Sequence, residues 1–299
     1  MSVIVVGNFD GVHIGHQKVL LAAVNKAKKL NTNSIALTFS ENTKNIVSKN
    51  KKIKYLLTDK QKELKIRNIG IDNVIFQPFT KEFSEMNIEE FLLYLKSNFD
   101  CNAMVAGNNS SFGKNASWNS YDLKEVAKKF DIDVEIVPLE ENRNSSSTKI
   151  RAAIEKGDIE KANSMLGYNF LVYFPVVSGK QLGRKLGFPT YNQIIPQEYV
   201  CPQNGVYLSY VTLDDKKYPS ITNIGFRPTV EENASFVVAE THILNQQCKE
   251  NFIGETLRVS ILKKIRNEQK FKSVENLENQ ISKDCDIAKK YFQENLNLG

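Results

Sequence analysis

The sequence predicts an α/β chain of two domains: a parallel sheet with helices on both faces over residues 1–167, then an antiparallel β-barrel with a C-terminal helix over residues 168–299. Three observations predict it. In the first half, short β-rich runs alternate strictly with helix-period runs, which implies right-handed crossovers and a parallel sheet. After Gly167 the rhythm changes to short strands punctuated by Pro and Gly with no helix between them, the pattern of an antiparallel barrel. Finally, 299 residues suffice for two domains of ordinary size, each burying its own core.

The elements follow in order. Val3–Val6 is a buried-strand candidate. A helix runs from about Gly15 to Leu30, with Val19, Leu20, Ala23, Val24, Ala27 and Leu30 on one face at a 3.6 period. Further strands are expected at Ser34–Phe39, Asn73–Gln77, Ala103–Ala106 and Val134–Val137, with helices at Asp59–Asn68, Asn87–Phe99 and Tyr121–Phe130. Two short helices come next, Thr148–Glu155 and Asp158–Leu166; Gly157 separates them and Asp158 can cap the second. The barrel strands are expected at Phe170–Val177, Val206–Thr212, Lys217–Ile224, Phe236–Leu244 and Thr256–Ile265. Val274–Leu296 repeats Leu277, Ile281, Ala288 and Phe292, an amphipathic helix fit to pack on the barrel.

Composition narrows the class. Forty Lys and Arg against 34 Asp and Glu give a net charge of +6, a mild bias suited to anionic small molecules such as nucleotides. The basic residues are scattered, and the densest run, Lys49–Lys54, reads as a solvated loop, so nucleic acid is not the expected partner. Cys101, Cys201, Cys248 and Cys285 lie far apart with no CxxC pair, which argues against a disulfide framework or zinc site and for a reducing cytoplasm. Val3–Val6 meets Gly7 at once, unlike a signal peptide, and no apolar run approaches the roughly 20 residues needed to cross a bilayer. Oligomeric state is left open.

Two stretches carry chemistry. The first is Gly7-Asn8-Phe9-Asp10-Gly11-Val12-His13-Ile14-Gly15-His16, between the first strand and the first helix. Glycine lets backbone approach a ligand, a helix N-terminus offers N–H groups to an anion, and two imidazoles can donate to phosphate oxygens as charge builds on them. Ser147, Thr148, Lys149 and Arg151 open a later helix, where hydroxyls and cations can hold a leaving pyrophosphate. The second stretch is Gly179-Lys180-Gln181-Leu182-Gly183-Arg184-Lys185-Leu186-Gly187-Phe188-Pro189-Thr190-Tyr191-Asn192. Its glycines can wrap phosphates, and Thr190 and Asn192 offer oxygen ligands for Mg²⁺. Downstream, strand alternation sends Val237, Ala239, Thr241 and Ile243 to one face and Glu240 with His242 to the other; Glu240 can take a hydroxyl proton as that oxygen attacks phosphorus. Taken singly, each piece also suits a plain turn, cap or exposed strand residue.

Together these residues resemble a known family. His13-Ile-Gly-His16 after a first strand, with the late Ser146-Ser-Thr-Lys-Ile-Arg151, is similar to the Rossmann-like nucleotidylyltransferases. The wording from Gly7 to Gln17, with Leu57-Thr-Asp-Lys60, Ile69-Gly-Ile-Asp72 and Val105-Ala-Gly-Asn-Asn109-Ser-Ser-Phe-Gly113, resembles the adenylyltransferase half of bacterial bifunctional riboflavin kinase/FAD synthetases. Gly183 to Asn192, Gly205-Val-Tyr207, Asn223 to Thr229, Glu240-Thr-His-Ile243 and Ile265 to Phe271 resemble its riboflavin kinase half. The resemblance implies a six-stranded barrel, with ATP, riboflavin, FMN and FAD as substrates and products and Mg²⁺ in each step. It also implies roles: His13, His16, Ser147, Thr148 and Arg151 on ATP phosphates, with Gly7, Asn8, Asp10 and Gly15 around them; Asn109 in the flavin or nucleotide site; Gly183, Arg184, Gly187, Thr190 and Asn192 on Mg-ATP; Glu240 as general base; and Arg266 near the flavin. His242 is assigned a structural role.

Three positions depart from the family's wording. Thr38-Phe39-Ser40-Glu41-Asn42-Thr43 stands where Thr-Phe-Asp-Pro-His-Pro is usual, Ser110 where an aromatic follows Asn109, and Tyr191 where Ala is usual. Two further readings stay open: a kinase with a lost or altered first activity, and a non-catalytic flavin- or nucleotide-binding regulator. His-Ile-Gly-His also occurs in class I aminoacyl-tRNA synthetases, whose second signature loop and anticodon domain have no counterpart here.

Overall fold

In the computed structural model, residues 1–40, 52–114, 117–139, 146–179, 182–228, 235–245 and 252–296 are described. The chain forms two compact units, the first ending at Ser147 and the second beginning at Thr148.

The first unit is a five-stranded parallel sheet in the order β3-β2-β1-β4-β7, from β1 (Ser2–Val6), β2 (Asn33–Thr38), β3 (Asn73–Phe76), β4 (Cys101–Gly107) and β7 (Asp133–Val137). These are the five strands the sequence predicts. Helix α1 (Ile14–Leu30) buries Val19, Leu20, Ala23, Val24 and Ala27, the face read from the 3.6 period; Leu30 stays about half exposed. Helices α2 (Asp59–Asn68), α4 (Ile88–Phe99) and α5 (Ser120–Ala127) follow the expected gaps, each started by a capping box at Thr58, Asn87 and Asn119 respectively. Leu92 and Leu95 of α4 and Leu123 of α5 pack with Ile4, Leu37, Met104 and Val134 of the sheet in one apolar core. Each buried side chain of this size contributes roughly 1.5–3 kcal/mol. Two small features were not predicted: helix α3 (Lys81–Glu85) and a hairpin of β5 (Ser111–Phe112) with β6 (Trp118–Asn119). Strand order reverses between β2 and β4 on either side of β1, so the carboxyl end of β1 is the switch point where ligands of such sheets bind.

Helix α6 (Ser147–Glu155) begins at the last residue of the first unit, and α7 (Ile159–Leu166), capped by Asp158 as expected, belongs wholly to the second. Asn163 of α7 fastens to the barrel: Nδ2 donates to the Ile261 carbonyl at 3.0 Å and Oδ1 accepts from the Phe170 amide at 2.7 Å. The break in packing thus falls ahead of the change in rhythm at residue 167.

The barrel is closed and six-stranded, in the order β10-β11-β12-β9-β8-β13. Its strands are β8 (Phe170–Val177), β9 (Tyr191–Ile195), β10 (Gly205–Leu213), β11 (Lys216–Pro228), β12 (Ser235–Ile243) and β13 (Thr256–Arg266). Closure leaves no unpaired strand edge. Ser209, Ser220, Thr222 and Thr241 are fully buried and joined by hydroxyl bonds of 2.7, 2.8 and 3.0 Å across β10, β11 and β12. Helix α9 (Val274–Leu296) covers Val206, Leu208 and Ile221 with Cys285, Ala288 and Phe292. Among the described residues, no helix is long and apolar enough to cross a membrane.

Candidate active sites

The first site is the turn between β1 and α1. Its backbone is held in unusual conformations: φ is +46° at Phe9, +84° at Gly11 and +37° at Val12. For a β-branched residue such as Val12 this is a real cost, of the order of 1–3 kcal/mol. The surroundings hold it in place. Asp10, 5% exposed, accepts from the Leu56 amide at 3.0 Å, and its carbonyl accepts from Ser147 Oγ at 2.8 Å. Thr38 Oγ1 donates to the Asn8 carbonyl at 3.2 Å, Gln17 Nε2 to the Val12 carbonyl at 2.8 Å, and the Gly7 amide to the Leu37 carbonyl at 3.1 Å.

His13 is the N-cap of α1. Its Nδ1 accepts from the amides of Gly15 at 3.2 Å and His16 at 3.4 Å. The sequence reads this helix start as open N–H groups for an anion; in the structure two of them are already capped by an imidazole. Because Nδ1 is an acceptor, a neutral His13 carries its proton on Nε2, so the ring hands the donor character of the helix end onward. A Cβ on Gly15 would come within 3.1 Å of the His13 ring, a tight approach that the glycine avoids. The two imidazoles stack, with ring centroids 3.7 Å apart, and Phe9 sits edge-on to His16. Burial pulls the His13 imidazole down to about 4. Burial, then the neighbouring His13 and Lys62, hold His16 well below its ordinary value. Both rings are therefore neutral N–H donors at pH 7.

Lys62 of α2 is a residue the sequence gave no signal for. It is 5% exposed, and its Nζ donates to the Phe39 carbonyl at 2.6 Å. Burial depresses its proton affinity while Asp59 and Asp10 pull it back up. Asn109 follows the carboxyl end of β4, the strand beside β1, and is exposed; its neighbour Asn108 makes the fixed contact, accepting from the Leu139 amide at 3.0 Å. Ser110 amide closes that turn on the Gly107 carbonyl. Thr148 and Arg151 follow Ser147 in α6, within the second unit. Ser40 is described and exposed, whereas Glu41–Thr43, Lys49–Lys51 and Ser145 lie outside the described residues.

The second site is built by strand register. Asn192 of β9 is directly opposite Glu240 of β12, and Glu240 is directly opposite Asn223 of β11, so all three share one face. The alternation read from the sequence holds: Ala239 and Thr241 are fully buried, while Glu240 and His242 are half-buried on the opposite face. Glu240 forms an ion pair with Arg227, which belongs to the Asn223–Thr229 stretch of the resemblance but was given no role there. His242 has the structural role expected of it. Its Nδ1 lies 2.9 Å from the Pro189 carbonyl, to which it donates, and its ring meets Phe188 edge-on.

Where the sequence suggests a flexible glycine loop, residues 182–188 form a closed turn. It contains the short helix α8 (Leu182–Lys185), and the Phe188 amide returns to the Gly183 carbonyl at 2.8 Å. Gly187 takes φ +82°, which favours glycine. A Cβ on Gly179 would fall 2.4 Å from Asn192 Nδ2, so the backbone there lies flat on that amide. Arg184 is exposed, and Lys180 and Gln181 lie outside the described residues. Asn192 Nδ2 donates to the Thr190 carbonyl at 3.4 Å. The oxygens of Asn192 and Thr190, with the Glu240 carboxylate on the next strand, are hard donors of the kind Mg²⁺ takes alongside phosphate. Tyr191, the departure from the usual Ala, is 3% exposed and packs edge-on to Phe252.

Arg266 closes β13 with its guanidinium held by Asp284 of α9, which is almost fully buried: Nε lies 3.0 Å from both carboxylate oxygens and Nη2 2.7 Å from Oδ2. The loop that follows, with α9, lines a groove of about 590 Å³ that includes Lys270, Phe271, Asn276 and Gln280.

The family model for FAD synthetase matches residues 1–149, and that for riboflavin kinase matches residues 166–292. A bifunctional riboflavin kinase/FMN adenylyltransferase of Buchnera aphidicola subsp. Schizaphis graminum is 32% identical over 97% of this chain and 94% of its own length. Proteins of the same description from Listeria monocytogenes and Escherichia coli K12 are 30% and 29% identical, each covering 97% of this chain and 92% of the relative. A solved structure described as a macrolide-efflux protein from Streptococcus pneumoniae superposes with a TM-score of 0.84 at 30% identity, covering 96% of this chain and 93% of that one.

Proposed function

The chain belongs to the bifunctional riboflavin kinase/FMN adenylyltransferase family, and on that premise we propose how its residues divide the work. The second half phosphorylates riboflavin with ATP to give FMN and ADP; the first half joins FMN to the AMP of a second ATP, giving FAD and pyrophosphate. The division follows residue 167, with residues 1–167 as the adenylyltransferase and 168–299 as the kinase. The match of one family model to each half carries this reading.

In the kinase half, Glu240 takes the proton of the ribityl 5′-hydroxyl as that oxygen attacks the γ-phosphorus of ATP. Its position opposite Asn192 supports the role. Thr190 and Asn192 would hold Mg²⁺, which supplies neutralisation of the phosphate charge. Gly183, Arg184 and Gly187 form the turn beside them and receive the phosphates. Arg266 serves the flavin indirectly: tied to Asp284, it fixes the start of the loop that lines the groove, and Phe271 there offers an aromatic face to the isoalloxazine ring.

In the adenylyltransferase half, a phosphate oxygen of FMN attacks the α-phosphorus of ATP and the bond to pyrophosphate breaks. Neutral His13 and His16 donate N–H to the phosphate oxygens as charge grows on them. Gly7, Asn8, Asp10 and Gly15 shape the turn, Ser147 braces it, Thr148 and Arg151 carry the pyrophosphate, and exposed Asn109 at the end of β4 contacts flavin or nucleotide. The same proposal places the protein in a reducing cytoplasm, in keeping with free thiols at Cys101, Cys201 and Cys285; Cys248 lies outside the described residues.

The test is product analysis by chromatography, with Mg-ATP and riboflavin in one tube and Mg-ATP and FMN in another. FAD from both tubes is expected. FMN from riboflavin without FAD in either tube would leave a kinase whose first domain has another task, and no product in either would favour the regulator.

A further inference from the structure

Among the described residues, one cation, Arg227, is in contact with Glu240. Arg227 and Glu240 lie on neighbouring strands, but not opposite each other: register pairs Arg227 with Phe236 and Glu240 with Asn223. Asn223, Gly225 and Arg227 share a face at the period of two, so the Arg227 side chain reaches back along β11 past a residue with no side chain. Its Nη2 meets Glu240 Oε1, with both side chains a little under one-third exposed. A second carboxylate against this face, Glu268, which a Cβ on Gly225 would meet at 2.5 Å, accepts instead from Asn204 Nδ2 at 3.1 Å. Arg227 therefore grips one oxygen of one carboxylate, and among the described residues no hydrogen bond tethers Oε2 of Glu240.

We infer that Arg227 is a positioning residue for riboflavin phosphorylation: by holding Oε1 it fixes the Glu240 rotamer and presents Oε2 to the attacking hydroxyl. The inference rests on the reading of Glu240 as the base. A glutamate has three side-chain torsions to fix, and a misplacement of about 1 Å in a reacting group costs on the order of 100-fold in rate. The strands themselves are already joined by backbone pairing along their length, so the ion pair is not needed to hold them.

The experiment uses the full chain, with FAD formation from supplied FMN as a fold control on the same preparation. Arg227→Met should lower kcat for FMN formation roughly 10- to 100-fold and leave the KM values for riboflavin and ATP within about threefold. Arg227→Lys should restore much of the rate, and free guanidinium should restore part of it in Arg227→Ala. In a Glu240→Gln background, Arg227→Met should cost little more, because the two act as a unit. An unchanged kcat, or a loss confined to KM, would overturn the inference. So would a loss that tracks a lower melting temperature and that neither lysine nor guanidinium repairs. Full activity in Glu240→Gln would instead sink the reading of Glu240 as base; inactivity of Glu240→Gln beside a fully active Arg227→Met would sink the positioning role alone.

Discussion

The two candidate sites reach similar phosphate chemistry by opposite constructions. The first is compressed into ten consecutive residues, from Gly7 to His16, where a strained turn stacks two imidazoles over a helix end. The second gathers Asn192, Arg227 and Glu240 from three strands and depends on barrel register. Burial keeps both histidines of the first neutral and lowers the proton affinity of the lysine behind them. The second keeps a half-buried carboxylate and guanidinium paired. Both sites have members that can be named from sequence, but the geometry of the first is implied by its spacing, whereas the facing of Asn192, Glu240 and Arg227 appears only with strand register.

Substitutions can separate the two constructions. Glu240→Gln should lower FMN formation by about 10²–10⁴-fold while FAD formation from supplied FMN persists; a parallel loss of both rates would show that the sites are not independent. His13→Ala should do the converse, lowering FAD formation by about 10²–10³-fold with riboflavin phosphorylation intact, checked by the same two-substrate assay.

Acid should distinguish them as well. With the folded His13 pKa at about 4, below its unfolded value of about 6.5, the unfolded chain binds more protons in that interval. The stabilisation from keeping this ring neutral is thus complete above pH 6.5 and is lost as pH falls through 4, amounting to about 3 kcal/mol. Urea melts of the wild type and His13→Gln at pH 7 and pH 4 should show the wild type losing more; equal losses would mean the ring is not titrating as described. The smallest effect is expected inside the barrel. Thr222→Val leaves Ser209 and Thr241 each short of a partner and should cost about 1–3 kcal/mol in a denaturant melt, with both activities retained.

Legibility followed the same divide. The parallel sheet, the buried face of α1 and the histidine turn were all visible in the sequence because each signal is local: a period, a cap or a spacing. Strand β9 was not, since Tyr191–Ile195 is only five residues long and is bounded by Pro189 and Pro196, so it reads as loop; the sixth strand was expected only through the family resemblance. The glycine stretch before it was read as flexible because sequence cannot show the return of Phe188 onto Gly183. Arg227 was visible as part of a family motif but had no role, because its contact with Glu240 runs diagonally between strands; Lys62 gave no signal because a lysine on a helix is ordinarily solvated. Asp284, buried beneath Arg266, belongs to the same class of residue.

The bond from Ser147 Oγ to the Asp10 carbonyl spans 137 positions and bears on how the protein is made. On the ribosome the histidine turn emerges first, and its final brace arrives only when nearly half the chain has been translated. At ordinary elongation rates of about 5–20 residues per second, the nascent turn spends roughly 7–27 seconds without that support. That brace is therefore set late, when the last segment of the first unit leaves the exit tunnel, and a ribosome stalled just short of Ser147 would present a turn held from Leu37, Thr38 and Leu56 but still lacking its bond at the Asp10 carbonyl.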